Sequence, residues 1–369
     1  MNRFLNRLSL VTIVALISIS CGSREDNPDI KTINDISEFP KTVDLSLMAS
    51  LDDSIPSMGI SDIRIVDSLL IVSVNEDRNY WHLYSLPDYN PIDSMLNVGG
   101  GPGETVMPMP VSFASLIAGK EDSQKRIGLP TVVTSKMILM DLDKSEKGNT
   151  LRLDTVVDLP VEPGSPLTFM LGEDKVFNYT ILPEEKKVKR EIKDIVSGQS
   201  LTSNGEIAAI DLLNSRVVDD MSQISTLMTY PMVKPDGGKV AEIPSFNNVI
   251  YLYDTNTGES GKIIYPHLKR QTHDNAMNPE KSKPTFGGGY GYDDFFTLLR
   301  YIYKDDENKE EYLDFISWDG KPLGSIKLPN SDIRRCEISL LDNKLLCLVA
   351  GEDNIVSYDI SAFLDSIKI

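Results

Sequence analysis

Apolar and polar residues alternate along most of the chain after Thr42, and a period of two residues predicts β-strands. Val43, Leu45 and Leu47 begin the alternation, and four further apolar runs cover residues 63–65, 69–74, 81–86 and 92–96. Short turns rich in Asp, Ser, Pro and Asn separate these runs. Because short turns join antiparallel neighbours, we expect the four runs to form one antiparallel meander.

The last hairpin of this meander recurs along the chain. In each copy an apolar strand runs into an acidic residue, a polar turn follows, and a second apolar strand begins. The acidic positions are Asp88, Asp141, Asp194, Asp254, Asp319 and Asp359. Their average spacing is about 54 residues, and self-similarity with a period of this size indicates a repeat fold.

Six copies of a four-strand unit predict an all-β fold, a six-bladed β-propeller of four-stranded antiparallel blades. We expect it to be closed by the N-terminal strand near residues 42–47, which would join the blade that holds the C-terminal strands. A β-sandwich is the alternative for a repetitive strand pattern. Sandwiches have shorter turn spacing and no repeat of a whole four-strand unit, so the propeller is favoured.

A glycine-rich stretch follows the first meander and contains Gly99, Gly101, Pro102, Gly103 and Glu104. Glycine allows positive φ angles and proline fixes φ, so the stretch is a shaped turn. It resembles the G-x-G-P-G-E turn of bacterial TolB-like six-bladed β-propeller lipoproteins. The resemblance implies that fold for about residues 42–369, with the turn linking the outer strand of one blade to the inner strand of the next. A phosphate-binding loop is the alternative, but no Lys-Ser/Thr pair follows the glycines.

The first twenty residues have the features of a secretory signal. Arg3 and Arg7 flank the start of an apolar segment, residues 8–19, that is too short to span a membrane. Cys21 follows in the position of a lipoprotein cysteine, whose thiol carries a lipid that anchors the chain to a membrane. Ser18 stands where lipoproteins usually have leucine, so the alternative is an ordinary signal peptide with a chance cysteine.

These features divide the chain into a signal peptide over residues 1–20, a lipidated cysteine with a flexible tether over 21–40, and the propeller over 41–369. Residues 23–27 are polar and acidic, and this resembles the surface-export signal of some outer-membrane lipoproteins. We therefore expect a protein of the cell envelope, held at the outer membrane by its N-terminal lipid and exposed at the surface.

The chain is acidic, with a formal net charge of −18 at pH 7. A surface of this charge repels phosphate backbones, so we expect no nucleic-acid partner. Cys336 and Cys347 flank a predicted hairpin turn. If Leu340 pairs with Leu345, the two cysteines are diagonal neighbours, and this spacing favours buried free thiols over a disulfide.

The segment 269–292 is rich in Gly, Pro, Asn and Lys, and long loops of compact domains are often functional. Its candidate ligand-binding residues are His273, Phe286, Tyr290, Tyr292, Asp293 and Asp294. The aromatic rings suit stacking on a sugar or peptide, and the alternative is that they only hold the loop in place. The three histidines lack the spacing of metal ligands and no serine-hydrolase motif occurs, so we predict no metal, cofactor or catalytic residue.

Two functions are compatible with these features. The first is a non-catalytic binding or scaffold module for a protein, a peptide or a glycan. The alternative is a glycan-active hydrolase or lyase of the cell envelope that uses carboxylates in the central channel of the propeller. A fold of this kind does not decide between them. Two carboxylates or a histidine cluster that converge in the central channel at catalytic separations would favour the enzyme.

Overall fold

The computed structural model describes most of the chain from Ile30 to Ile367. The signal segment, Cys21 and His273 lie outside the described residues. The residues left out are 1–29, 52–54, 56–58, 76–78, 100–103, 106–109, 119–124, 132–135, 142–152, 160–166, 183–186, 202–228, 270, 272–274, 276–277, 279–280, 306–307, 330–332, 350–353 and 368–369. The described residues from Lys31 onward form one compact unit.

The described strands form six sheets that follow one another along the chain. Two short strands, β1 (Ile30–Thr32) and β2 (Thr42–Asp44), come first. The first sheet holds β3 (Ile60–Val66), β4 (Leu69–Val74), β5 (Asn79–Ser85), β6 (Pro91–Val98) and β7 (Glu104–Thr105). The second holds β8 (Ser115–Ala118), β9 (Lys125–Thr131), β10 (Lys136–Asp141) and β11 (Leu153–Asp158). The third holds β12 (Leu167–Met170), β13 (Lys175–Leu182) and β14 (Lys187–Asp194).

The last three sheets lie in the second half of the chain. The fourth holds β15 (Thr229–Val233), β16 (Lys239–Pro244), β17 (Val249–Asp254) and β18 (Ser260–Ile264), with β1 at its edge. The fifth holds β19 (Phe295–Tyr303), β20 (Lys309–Ser317) and β21 (Pro322–Lys327), with β2 at its edge. The sixth holds β22 (Ile333–Ser339), β23 (Lys344–Val349) and β24 (Asn354–Asp359), and the helix α1 (Ser361–Ile367) follows it.

The recurring acidic residues mark equivalent places in these sheets. Asp141, Asp194, Asp254 and Asp359 are the final residues of β10, β14, β17 and β24, and the other two positions follow β5 and β20. The repeat predicted from the sequence therefore coincides with one sheet per copy. The sheets hold three to five described strands rather than a uniform four.

Hydrophobic clusters fill the space between neighbouring sheets. Each of five clusters combines buried residues of two successive sheets, for example Trp81 of the first sheet and Leu129 of the second. A sixth cluster combines Ile63 and Leu70 of the first sheet with Leu346 and Leu348 of the last. Apolar contact among the described residues therefore runs from each sheet to the next and from the last back to the first.

The N-terminal segment differs from the prediction in two ways. Residues 31–40 belong to the compact unit instead of a flexible tether, because Ile33 and Phe39 are buried against the fourth and fifth sheets. β2 pairs in parallel with β21 of the fifth sheet, so the expected pairing with the C-terminal strands is wrong. Among the described residues, the link from this part of the chain to β24 is an isolated bridge from Leu51 to Ser357.

The glycine-rich turn was expected to lead directly to the next sheet, and the strand after it pairs elsewhere. Residues 100–103 lie outside the described residues, and Glu104 begins β7. β7 pairs in parallel with β6, with Asn97 opposite Glu104. The chain therefore returns to the edge of the same sheet before it reaches the next one.

The hairpin that carries the two cysteines has another register than the predicted one. Ser339 pairs with Lys344, and Cys336 lies directly opposite Cys347 rather than diagonal to it. Asn343 closes the turn with a φ angle of 55°, which asparagine adopts more easily than most residues. Both cysteines are free and buried, as predicted, and their sulfur atoms are 3.5 Å apart.

No helix among the described residues is long and apolar enough to cross a membrane.

Candidate functional site

The first strands of several sheets border a narrow cavity, here called the central cavity. Its lining includes Arg64 of β3, Ser115 of β8, Phe169 of β12, Met232 of β15 and Gly289. Its volume is about 30 Å³, which is room for about one water molecule.

Two buried carboxyl groups converge next to the central cavity. Asp62 of β3 accepts hydrogen bonds from Arg335 Nε at 3.1 Å and from the backbone amide of Ser112 at 2.8 Å. Glu337 of β22 accepts a hydrogen bond from the Tyr292 hydroxyl at 3.3 Å. The two bonds to Asp62 join β3 of the first sheet to β22 of the last sheet and to the segment that leads into the second sheet.

Burial raises the pKa of Glu337 to about 8, although the positive charge of Arg64 and the bond from Tyr292 act in the opposite direction. Glu337 is therefore protonated at neutral pH, next to an Asp62 carboxylate that is paired with Arg335. Two carboxyl groups form the acid and base of many glycosidases. Both groups here are buried and bonded to side chains of neighbouring segments, so this pair favours a structural network.

The residues of the predicted ligand loop do not share one surface. Phe286, Tyr290 and Tyr292 are buried, while Asp293 and Asp294 are exposed. The Tyr290 hydroxyl donates a hydrogen bond to the backbone oxygen of residue 63 at 2.6 Å, and the indole of residue 318 donates one to the backbone oxygen of Tyr292 at 2.9 Å. Burial favours the alternative that the aromatic side chains hold the segment in place. A ligand-binding role for the exposed aspartates stays a prediction.

The glycine-rich part of that segment forms isolated bridges to β19, at Phe286 and Gly291. Residues 285–292 run beside β19, with backbone hydrogen bonds such as Gly287 N to Leu299 O at 2.8 Å and Thr297 N to Tyr290 O at 2.9 Å. A side chain at Gly289 would place its Cβ 1.8 Å from the backbone oxygen of Thr297. Glycine is therefore required there by the close approach of two backbones.

A larger pocket lies at one end of the fifth sheet, where three segments meet; we call it the lysine pocket. Its volume is about 290 Å³, near the lower limit for small-molecule sites. The lining comes from the loop after β18, from residues 283–285 and from the end of β19. The residues are His267, Leu268, Lys269, Gln271, Lys283, Pro284, Thr285, Tyr301, Ile302, Tyr303, Lys304 and Asp305.

The lysines of this pocket have different partners. Lys283 Nζ lies 5.3 Å from the centre of the Tyr303 ring and donates a hydrogen bond to the backbone oxygen of Asp305 at 3.2 Å. Lys304 Nζ pairs with Glu310 at 2.7 Å, and hydrogen bonds from Lys304 and from a second lysine lower the pKa of Glu310 to about 2. Burial and the charge of the nearby Arg300 lower the pKa of His267.

Sequence reasoning missed the lysine pocket. It noted that residues 269–292 are rich in lysine but assigned their chemistry to aromatic and acidic side chains. The signal that points to the pocket is three lysines near 269, 283 and 304 in an otherwise acidic chain. The spacing of these residues does not indicate that the loop after β18, residues 283–285 and the end of β19 lie together. Among the described residues, no group of three or more His, Cys, Asp or Glu side chains is placed to hold a metal ion.

Comparison with known proteins identifies the architecture. No protein-family model matches the chain, and no curated protein sequence matches it. A crystal structure of a duf4221 family member from Bacteroides vulgatus is similar, with a TM-score of 0.53 and 11% identity over 84% of this chain and 94% of that one. A protein described as exported, from Bacteroides fragilis, has a TM-score of 0.49 and 11% identity over 89% of this chain and 98% of that one.

A third similar structure is regucalcin, a calcium-binding protein from Agrobacterium tumefaciens, with a TM-score of 0.43 and 11% identity over 86% of this chain and 94% of that one. Identities this low carry information about the fold alone, and the argument rests on the Bacteroides vulgatus structure. These neighbours are β-propeller proteins. The chain therefore has a nearly all-β structure with the fold of a β-propeller.

Proposed function

We propose that the chain is an exported, lipid-anchored β-propeller of the TolB-like lipoprotein type that acts as a binding or scaffold module at the cell envelope. The blade number in this proposal is six. The observation that carries it is the apolar contact between the first and last sheets, through Ile63, Leu70, Leu346 and Leu348. With one cluster for each pair of successive sheets, this contact supports a ring of six blades.

The N-terminal sequence supports the anchor. Residues 1–20 have the order of a secretory signal, and Cys21 stands at its end. A lipid on Cys21 would hold the propeller at the outer membrane without a spanning segment. Because the packed unit begins at about residue 31, the linker between lipid and propeller would be about ten residues long.

A non-catalytic role is favoured by the bonding of the two carboxyl groups near the central cavity. Asp62 and Glu337 are buried and bonded to neighbouring side chains. Propellers often bind ligands through loops at the mouth, and the lysine pocket of about 290 Å³ is the roomier site. We propose a protein, peptide or glycan as the partner and no nucleic acid.

Anchoring is tested by expressing the full chain and a Cys21→Ser variant in a Gram-negative host with a radiolabelled fatty acid. We expect the label in the wild-type protein alone, and the wild-type protein in the outer-membrane fraction. The variant should lose the label and leave the membrane fraction. Equal membrane association of both proteins without label would show that the chain is not lipid-anchored.

Binding is tested with the purified chain from residue 22 onward on arrays of envelope glycans and peptides. We expect at least one saturable ligand that is recovered chemically unchanged. Recovery of a shortened or unsaturated glycan would replace the binding proposal with the hydrolase or lyase alternative. In that case Asp62→Asn and Glu337→Gln variants would show whether the buried pair takes part.

A further inference from the structure

We propose that Cys336 and Cys347 are the site of a disulfide bond that forms when the exported chain folds in an oxidising compartment. The structure holds both residues as free thiols, which is the reduced form of the pair. This inference rests on the export in the proposed function and adds a covalent modification within the last sheet.

The register of the last sheet places the two cysteines within bonding range. Cys336 lies directly opposite Cys347, and the three pairs between them and the turn keep the same register. Opposite residues of antiparallel strands have Cα atoms about 4.5 or 5.5 Å apart, and a disulfide spans about 4.4–6.8 Å. The diagonal arrangement expected from the sequence would give about 7–8 Å. The observed register therefore removes the argument against a bond.

The two sulfur atoms already face each other. They are 3.5 Å apart and share a hydrogen bond. A disulfide holds its sulfur atoms at about 2.05 Å, so bond formation needs an approach of about 1.5 Å. Both side chains lie in one apolar cluster with Ile338, Leu345 and Tyr358. The bond would remove two weak S–H donors from these surroundings and leave no buried donor without a partner.

Bond formation takes two protons and two electrons from the pair. The oxidant is itself a disulfide, carried by a thiol oxidase in the cell or by oxidised glutathione in vitro. One cysteine thiolate attacks the oxidant and releases its first thiol; the other cysteine then attacks the mixed disulfide and releases the second. Because both cysteines are buried in the finished fold, the reaction takes place while the hairpin is still accessible.

The bond would fix the strand that connects the last sheet to the first. Arg335 and Glu337 flank Cys336 on β22. Arg335 donates a hydrogen bond to Asp62 at 3.1 Å, and Glu337 accepts one from Tyr292 at 3.3 Å. A slip of β22 by one residue would turn both side chains away from these partners. The covalent link prevents such a slip and restricts the unfolded chain, so the oxidised protein is the more stable form.

The experiment is oxidative refolding of the chain from residue 22 onward, in which Cys336 and Cys347 are the only cysteines. The chain is reduced and unfolded in urea, then refolded with reduced glutathione in about tenfold excess over oxidised glutathione. Samples are alkylated with iodoacetamide in urea, and their masses are measured. The matched controls are the same chain refolded with reductant alone and the single variants Cys336→Ser and Cys347→Ser.

We expect the refolded wild-type chain to take up no alkyl group and to weigh two hydrogen atoms less than the reduced chain. Its circular dichroism should match that of the reduced chain. Its unfolding midpoint in urea should be higher, and a reductant should abolish the difference. Each serine variant should unfold at the same urea concentration with and without glutathione, because its remaining cysteine has no partner for a bond.

Two alkyl groups on the refolded chain would overturn this assignment. A bond between two chains would also overturn it, as would a bonded chain whose circular dichroism differs from that of the reduced one. Refolding supplies its own oxidant, so these results leave the proposed export standing. Export itself fails if Cys21 carries no label and the full chain stays in the cytosol, a result that does not depend on refolding.

Discussion

Three of the recurring aspartates share one local task. Asp194 accepts a hydrogen bond from the backbone amide of residue 197 at 2.7 Å, Asp254 from those of residues 256 and 257 at 2.9 Å, and Asp359 from that of Ser361 at 2.9 Å. Aspartate stabilises turns by bonding backbone groups just after itself. These bonds favour the charged form and contribute to the lowered pKa of Asp194 and Asp359. The repeat seen in the sequence is therefore a repeat of turn chemistry.

The cysteine pair gives a first prediction. Cys336 and Cys347 are 3% and 0% exposed, and burial raises the pKa of Cys336. Because burial keeps a reagent away from both sulfur atoms, both thiols of the reduced protein should react slowly while it is folded. Labelling a Cys21→Ser variant with iodoacetamide should modify neither cysteine under native conditions and both in urea. Equal labelling rates in the two conditions would show that the hairpin is open in solution.

Glu337 gives a prediction on pH. Its pKa is about 4.5 in an unfolded chain and about 8 in the folded protein. As pH rises between these values, the unfolded state loses the proton while the folded state keeps it, so the free energy of unfolding falls. The contribution is complete below the lower value and lost above the higher one. We compare the free energy of unfolding of Glu337→Gln with that of the wild-type protein. This difference should shift in favour of the variant by about 3–5 kcal/mol between pH 5 and pH 9.

Urea unfolding of the two proteins at both pH values measures this difference. Other groups titrate over the same range in both proteins, so only the change in the difference reports on Glu337. Parallel curves for wild type and variant would mean that this carboxyl group is solvated and ionises normally.

The segment 285–292 beside β19 gives a prediction for two adjacent glycines. A Cβ at Gly289 would lie 1.8 Å from a backbone oxygen, whereas one at Gly288 would lie 3.4 Å from the Tyr230 ring. Gly289→Ala should therefore lower the free energy of unfolding by about 3 kcal/mol, and Gly288→Ala should change it by less than about 1 kcal/mol. Chemical denaturation compares them. Similar stabilities would indicate that residues 285–292 do not pair with β19.

The sheets were easier to predict than the pairings between distant strands. Alternating apolar residues and turn-forming aspartates are local signals, and they located the strand ends at Asp141, Asp254 and Asp359. The register of the cysteine hairpin depends on the left-handed conformation of Asn343, which the residue pattern alone did not reveal. The partner of β2 depends on packing between chain ends, and no local pattern encodes it.

In the candidate site, too, local features could be predicted from the sequence and contacts between distant segments could not. The segment 269–292 was singled out from its composition, and it does border the lysine pocket through Lys269 and Lys283. Its aromatic residues looked available for stacking, yet Phe286 is fully buried. Burial depends on the sheets that pack around a segment, and the sequence of the segment does not contain that information.

The N-terminal segment gives a prediction for the stability of the whole propeller. Leu45 is 1% exposed and packs between the fifth and sixth sheets, whereas Leu47 is 85% exposed. Leu45→Ala should cost about 2–5 kcal/mol, and Leu47→Ala less than about 0.5 kcal/mol. Thermal unfolding of both variants tests whether residues 42–47 stabilise the propeller. Equal melting temperatures would mean that this segment only lies on the surface.

The pairing of β2 with β21 also sets an order of folding. Thr42–Asp44 leave the ribosome early, but their partners Ser325–Lys327 are synthesised near the end. Contacts between distant parts of a chain form slowly, because the intervening loop must close first. The fifth sheet therefore cannot be completed until nearly the whole chain is present. A chain that must cross a membrane unfolded would benefit from this delay, since its N-terminal segment stays without its partner until the C-terminal strands have followed it.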